Sequence, residues 1–172
     1  GDILLRANKP HEARKVFEAL AEEVAGDTGI HQQILERIVR ADFHEGRYPE
    51  ALRAARDVEI QYSPDQPSWR KLLGMVLLAS GESAEAATVL NELSSVEARL
   101  WGVYARWMDE TLSSGAALIE IGEIKIPADD RRVAALRSAM IVKIANALEF
   151  ADTRVLALEA LVQSPVDLPP LV

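Results

Sequence analysis

Histidine, carboxylate and serine side chains are the groups of this sequence that could catalyse a reaction. The three histidines are His11, His31 and His44. A zinc-binding H-E-x-x-H helix needs a second histidine four residues after the first, but "HEARK" and "HEGRY" have Lys15 and Tyr48 at that position. A histidine near the C-terminal end of a helix favours the negative end of the helix dipole. We therefore interpret His44 as a structural residue.

The adjacent carboxylates Asp129 and Asp130 could perform acid–base chemistry together. They stand just before the helical pattern that follows in "RRVAALRSAM", where an aspartate accepts hydrogen bonds from free backbone N–H groups. We expect one of them to be an N-cap. The serines lack a G-x-S-x-G motif, and no G-x-x-x-x-G-K-[ST] loop is present to bind phosphate. The sequence therefore predicts no catalysis, no metal site and no cofactor.

Composition limits the classes of partner. The chain has 172 residues, 49% of them hydrophobic and 27% charged, as is typical of a folded soluble protein. Acidic residues outnumber basic ones by 27 to 19, and the resulting charge of −8 disfavours nucleic-acid binding. The longest apolar run, 72–79, is far shorter than the roughly 20 residues that span a bilayer, so no direct membrane insertion is expected. The lack of cysteine leaves both a cytoplasmic and a periplasmic location open.

Segments of helical periodicity separated by glycine and proline predict an all-α protein. The predicted helices are 10–25, 30–45, 48–61, 68–80, 83–93, 96–112, 129–149 and 152–162, with the last turns of another helix at 2–7. The segment 117–127 alternates isoleucines about Gly122 and is compatible with a strand, a distorted helix or a loop. Core packing is the favoured role of its isoleucines, and a strand edge that a partner could extend is the alternative.

Three polar turns are followed by the same apolar spacing. The turns at Asn8, Gly46 and Gly81 are 38 and 35 residues apart. After each turn, an alanine and two further apolar residues follow at i, i+4 and i+7, which places all three on one helical face. These sets are Ala13, Phe17 and Leu20; Ala51, Ala55 and Val58; and Ala86, Leu90 and Leu93. A repeated helical hairpin explains this pattern.

The pattern resembles the tetratricopeptide repeat (TPR), a helix–turn–helix of about 34 residues with a W-x2-L-G-x2-Y…A-x3-F…P pattern. The best match is "WRKLLGMVLLASGESAEAATVLNEL", in which Leu73, Gly74 and Leu77 occupy first-helix positions and Trp69 falls one residue early. A second copy, "LERIVRADFHEGRYPEALRAARDVE", has Asp42 where tyrosine or leucine is expected. The first copy retains only the end of its first helix, so we expect the chain to begin inside a repeat.

The resemblance covers roughly 2–93 and implies an all-α, right-handed superhelical stack of antiparallel helical hairpins, a TPR-like solenoid. We predict one helical-repeat domain at 1–163, with repeats at roughly 1–28, 29–65 and 66–95 followed by degenerate helices at 96–163. A tail or linker is predicted at 164–172.

In TPR arrays the first helix of each hairpin lines a concave groove that usually takes an extended peptide or a partner helix. Carried onto this sequence, the resemblance implies a groove lined by Gln33, Glu36, Arg40, Phe43 and His44, then Ser68, Lys71, Met75 and Leu78, then Arg99, Val103, Arg106 and Trp107. The lysine/asparagine clamp by which some TPR proteins hold a chaperone's C-terminal carboxylate is not reproduced, so no such binding is expected.

An aromatic cluster, Trp101, Tyr104 and Trp107, stands at three-residue intervals. The favoured interpretation is that Trp101 and Tyr104 pack between hairpins. The alternative is that Trp107, with Arg99 and Arg106, forms an anchoring patch, since tryptophan and arginine dominate interface hot spots.

The sequence therefore predicts a protein-interaction or assembly module without catalysis, whose groove recognises a segment of a protein or peptide partner. The alternative is a structural or self-associating helical domain of a larger multi-domain or membrane-associated assembly, with no ligand of its own.

Overall fold

The computed structural model of the chain describes residues 1–148, and these residues form nine α-helices and no strand. The helices are α1 Asp2–Arg6, α2 Pro10–Glu23, α3 Thr28–His44, α4 Tyr48–Tyr62, α5 Pro67–Ala79, α6 Ser83–Asn91, α7 Val96–Met108, α8 Ser114–Glu123 and α9 Arg131–Leu148. The predicted helix at 152–162 and the predicted tail at 164–172 lie outside the described residues.

The helix starts at Pro10, Tyr48, Ser83 and Val96 are those predicted from the sequence. Proline in the first turn costs little because its missing N–H would have no intrahelical partner there. Asp130 caps α9 as expected, since its Oδ1 accepts from the backbone N–H of Val133 at 3.0 Å. Local chemistry therefore sets where these helices begin.

Three of the turns between consecutive helices share one backbone geometry. Asn8, Gly46 and Gly81 have φ of 56°, 78° and 86°. In each turn the next N–H donates to a carbonyl oxygen in the last helical turn, as in the Schellman motif. These bonds are Lys9 N–Leu4 O, Arg47 N–Asp42 O and Glu82 N–Leu77 O, each 2.9 Å. The repeated turn predicted from the sequence is thus confirmed.

A fourth turn follows α7, which ends at Met108 and not at residue 112 as predicted. Glu110 has φ of 60°, and the Leu112 N–H donates to the Arg106 carbonyl at 3.2 Å. The sequence pattern did not reveal this turn because glutamate occupies the left-handed position that glycine occupies in the preceding two turns.

The segment 117–127, left open between strand, distorted helix and loop, is α-helical through Glu123. Ser113 caps this helix, since its Oγ accepts from the Ala116 N–H at 3.3 Å. Ile121 and Ile124 are buried, whereas Ile119 is 66% exposed. Core packing is confirmed for the two buried isoleucines. The alternative of a strand edge is wrong for 117–123, because that backbone is hydrogen-bonded within α8.

The chain divides into two compact units, Gly1–Glu82 and a second that begins at Ser83. The first has a core cluster of five buried side chains from α2 and α3, which are Ala13, Phe17, Ala21, Ile34 and Ile38. Leu4 and Leu5 of α1 pack against this cluster. Ala51, Ala55 and Val58 are fully buried on α4, so the face predicted from their spacing is confirmed.

The second unit is built around α7. Leu90 of α6 and Tyr104 of α7 are fully buried. Gly102 lies so close to α6 that a Cβ there would stand 2.6 Å from Asn91 Oδ1. The missing side chain at Gly102 therefore leaves room for the side chain of Asn91, which ends α6.

Candidate functional site

An open, polar cavity of about 550 Å³ lies in the first unit, on α1 and α3. The α3 residues of its wall are spaced at i, i+3, i+4, i+7 and i+11, which is one face of a helix. The cavity is lined by Asp2, Leu5, Arg6, Gln33, Glu36, Arg37, Arg40 and His44. We call this feature the α1–α3 cavity.

The two faces of α3 explain why this wall is polar. Ile34 and Ile38 are buried in the core cluster with α2, so the cavity residues between them point away from that core. Asp27 starts the helix, and its Oδ1 accepts from the Ile30 N–H at 3.0 Å. The amphipathic pattern of α3 thus presents the polar residues of one face to the cavity.

An ion pair joins the two walls. Arg37 Nε lies 3.1 Å from Asp2 Oδ1 and 3.3 Å from Oδ2. Arg37 Nη1 also donates to the Gln33 carbonyl at 3.1 Å. Leu4 and Leu5 pack on the core cluster that α2 and α3 form, so α1 is held by apolar contact with this cluster and by its ion pair with α3.

The cavity carries more positive than negative charge. Its wall has three arginines, Arg6, Arg37 and Arg40, against the carboxylates of Asp2 and Glu36. Arg37 and Asp2 neutralise each other. Glu36 accepts a hydrogen bond from Gln32 Nε2 at 2.8 Å. Arg6 and Arg40 are exposed and form no ion pair within residues 1–148.

His44 is the last residue of α3, which agrees with its predicted place near the end of a helix. Partial desolvation on the cavity wall lowers the pKa of His44 below its ordinary 6.5, and the nearby Arg40 guanidinium lowers it further. The imidazole is therefore neutral at pH 7 and can either donate or accept a hydrogen bond.

Four of the five candidates predicted on α3 line the same cavity, namely Gln33, Glu36, Arg40 and His44. The fifth, Phe43, is half-buried at the turn, with its ring centroid 5.8 Å from that of Tyr48.

Four cavity residues were not among the candidates, namely Asp2, Leu5, Arg6 and Arg37. The i+4 spacing from Gln33 would have identified Arg37. The α1 residues carry no such local signal, because they meet the α3 wall through residues far apart in the chain, such as Asp2 and Arg37.

The candidates on α5 lie outside the α1–α3 cavity. Lys71 and Met75 are half-buried, and Ser68 is exposed. Leu78 is only 5% exposed, so its side chain packs in the core and is not open to a partner.

The candidates on α7 belong to the second unit. Arg99 is exposed and Val103 is buried. Trp107 is half-buried and donates from Nε1 to Ser114 Oγ at 2.9 Å, and Arg106 pairs with Glu120. Helix α8 thus provides an intramolecular partner for both side chains.

The favoured interpretation of the aromatic cluster requires Trp101 and Tyr104 to be buried. Their side chains are 2% and 0% exposed, and their rings meet edge to face at a centroid distance of 5.9 Å. The burial that this interpretation requires is therefore confirmed.

A separate ionic cluster, centred on Asp42, joins α2, α3 and the turn before α4. Asp42 is 1% exposed. Its Oδ1 lies 2.9 Å from Arg14 Nε and also pairs with Arg47. Burial raises the pKa of Asp42 above 3.8, although the two guanidinium groups oppose this rise. We interpret this cluster as structural, because every ionic group in it is paired within the first unit.

No group of three or more histidine, cysteine or acidic side chains that could hold a metal ion occurs among residues 1–148. In the same described part of the chain, no helix is both long and apolar enough to cross a membrane.

Residues 42–106 match the family model described as Tetratricopeptide repeat. The matched segment runs from the end of α3 into α7 and includes the turns at Gly46 and Gly81. No curated protein and no solved structure matches the chain. Together with the all-helical architecture of residues 1–148, the family match confirms an all-α, TPR-like helical repeat. Most of the α1–α3 cavity lies just before the matched segment, which includes only its last residue, His44.

Proposed function

We propose that this protein is an interaction module without catalysis of its own, which binds a segment of a partner protein along the α1–α3 cavity. Tetratricopeptide repeats generally mediate protein–protein interaction and are typically non-enzymatic scaffolds. One observation supports the proposal most directly. Four residues that the TPR resemblance predicted for a binding groove line one open cavity, namely Gln33, Glu36, Arg40 and His44.

The chemistry of the wall supports this role. Gln33 and His44 have side chains that can donate and accept hydrogen bonds, and an extended peptide needs such partners for its backbone. Arg6 and Arg40 have no ionic partner among residues 1–148. A bound segment would thus meet two charged groups that residues 1–148 leave without an ionic partner.

The test is to obstruct the cavity without disturbing the core. Gln33 is exposed on the cavity wall, so Gln33→Trp adds bulk in the cavity itself. Arg53→Trp is the matched control because Arg53 is exposed on α4 and does not line the cavity. A partner is first captured from cell extract with the native protein, and its affinity for all three purified proteins is then measured.

We expect Gln33→Trp to weaken that affinity about tenfold or more, which corresponds to about 1.4 kcal/mol, while Arg53→Trp binds as the native protein does. Thermal unfolding followed by circular dichroism checks that both variants keep the fold. Equal affinity of all three proteins would show that the cavity is not the binding site. The structural or self-associating alternative stays a prediction, which sedimentation over a range of concentrations tests.

A further inference from the structure

The α1–α3 cavity has a charge opposite to that of the chain. The whole chain has a formal charge of −8, whereas the cavity wall has three arginines and two carboxylates. Since Asp2 is neutralised by Arg37, the cations left for a ligand are Arg6 and Arg40. A cationic site on an anionic protein attracts anionic groups selectively, because the remaining surface repels them.

The order of side chains along α3 determines where a negative group can bind. Glu36 lies one turn before Arg40, and His44 lies one turn after it. A carboxylate near Glu36 would be repelled, whereas one between Arg40 and His44 would meet a guanidinium and an imidazole. The favourable end of the α3 wall is therefore its C-terminal end.

The second arginine without an ionic partner in the described part of the chain comes from the other wall. Arg6 ends α1, and Leu5 beside it is the apolar member of the lining. The two arginines thus belong to two different helices, with an apolar side chain next to one of them. A ligand that uses both needs more than one negative group and some apolar surface.

These features fit a peptide better than a nucleic acid. Nucleic-acid binding depends on neutralising many phosphates, whereas this cavity offers two guanidinium groups that have no ionic partner among residues 1–148. The remaining surface carries the excess of acidic residues and would repel a long polyanion. Arginine pairs well with carboxylates because its planar donors match their geometry.

On the premise of the proposed function, we infer that the occupant of the α1–α3 cavity is an acidic segment of a partner protein. Its side-chain carboxylates pair with Arg6 and Arg40, and an apolar side chain of the segment lies against Leu5. The recognised groups are side chains, so a free C-terminus is not needed.

The test uses fluorescein-labelled peptides of equal length, amidated at the C-terminus, in which alanine alternates with glutamate, glutamine or lysine. Fluorescence anisotropy measures their affinity for the full chain at low and high salt. We expect the glutamate peptide to bind most tightly and to lose affinity as salt screens the charges. The glutamine and lysine peptides are expected to bind at least about tenfold more weakly.

The double variant Arg6→Gln with Arg40→Gln is expected to lose about tenfold or more of the affinity for the glutamate peptide. Its control is Lys15→Gln with Arg53→Gln, which changes the net charge equally at exposed positions away from the cavity. The control variant should bind as the native chain does.

A second measurement locates the peptide. A carboxylate bound beside His44 favours the protonated imidazole and raises the pKa of His44, which NMR titration with and without the glutamate peptide detects. Binding elsewhere on the chain would leave that pKa unchanged.

Three results would overturn the inference. The glutamate and glutamine peptides could bind equally, or the Arg6/Arg40 variant could bind the glutamate peptide as the native chain does. An oligonucleotide of similar length could also bind more tightly than the glutamate peptide. A further result would also contradict the inference: Gln33→Trp weakens binding of the captured partner, but the Arg6/Arg40 variant binds that partner as the native chain does. The cavity would then bind the partner without recognising acidic side chains. The proposed function itself fails in a different way: Gln33→Trp then binds the captured partner with the same affinity as the native chain.

Discussion

Asp42 is a charged side chain enclosed by the fold. It occupies a position where the repeat pattern suggests tyrosine or leucine, and its carboxyl is 1% exposed between Arg14 and Arg47. Burial outweighs both guanidinium groups and raises the pKa of Asp42 above 3.8. The protonated form is thus favoured more in the folded state than in the unfolded chain.

The sign of the pH effect follows from this direction. A carboxyl with a raised folded-state pKa contributes stability that is present below pH 3.8 and is lost as pH rises through the raised value. Asp42→Asn keeps the shape but does not titrate. We therefore expect the stability of the native chain relative to Asp42→Asn to fall as the pH rises from about 4 toward neutrality.

Urea unfolding of both proteins at several pH values measures this difference. Glu45 also pairs with Arg47 in the native chain, and the substitution leaves both of these residues unchanged. If the stability of the native chain relative to Asp42→Asn instead rises with pH, the two arginines lower the pKa of Asp42 by more than burial raises it.

At the scale of the helices and turns, the backbone at Gly46 and Glu110 can be compared directly. Both have positive φ, 78° and 60°. No atom lies within 4 Å of a Cβ placed on Gly46, so its substitution meets backbone strain alone. Glu110 already bears that strain, because a side chain in the left-handed region costs roughly 1–2 kcal/mol.

Glu110→Gly is therefore expected to raise the free energy of unfolding by about 0.5–1 kcal/mol, and Gly46→Ala to lower it by about 1 kcal/mol. Glu110→Ala is the matched control, since it removes the same side chain and keeps the strained φ. Chemical denaturation measures all three. Equal gains from Glu110→Gly and Glu110→Ala would show that the side chain, and not the backbone, is responsible.

At the scale of the whole molecule, stability depends on the apolar cores of the two units. Leu90 is fully buried in the second unit, whereas Ile119 of the same unit is 66% exposed. We expect Leu90→Ala to cost roughly 2–5 kcal/mol, because it leaves a cavity in a packed core. Ile119→Ala is expected to change stability by less than about 0.5 kcal/mol. Denaturant unfolding measures the free energy of unfolding of both variants. If Leu90→Ala changes it as little as Ile119→Ala does, Leu90 is not buried in a packed core.

Whole-molecule charge also bears on function. The chain is acidic overall, yet the α1–α3 cavity presents Arg6 and Arg40. If the proposed function holds, this contrast directs an acidic segment to the cavity. The predicted domain limits at 1–163 stay a prediction, as does the role of Lys71, Met75, Arg99, Arg106 and Trp107 in binding.

The sequence by itself determined the features that depend on near neighbours. Apolar residues at i, i+4 and i+7 identified the buried faces of α2 and α4, and glycine identified the turns at Gly46 and Gly81. The sequence left 117–127 open between strand, distorted helix and loop, and only the structure decided that it is helical through Glu123. The turn before α8 was not evident from the sequence because it has Glu110 in place of glycine. Only the tertiary structure brought Asp2 of α1 to Arg37 of α3, because this pair joins residues 35 positions apart. Local periodicity describes the face of each helix, but the choice of its partner depends on packing between residues distant in the chain.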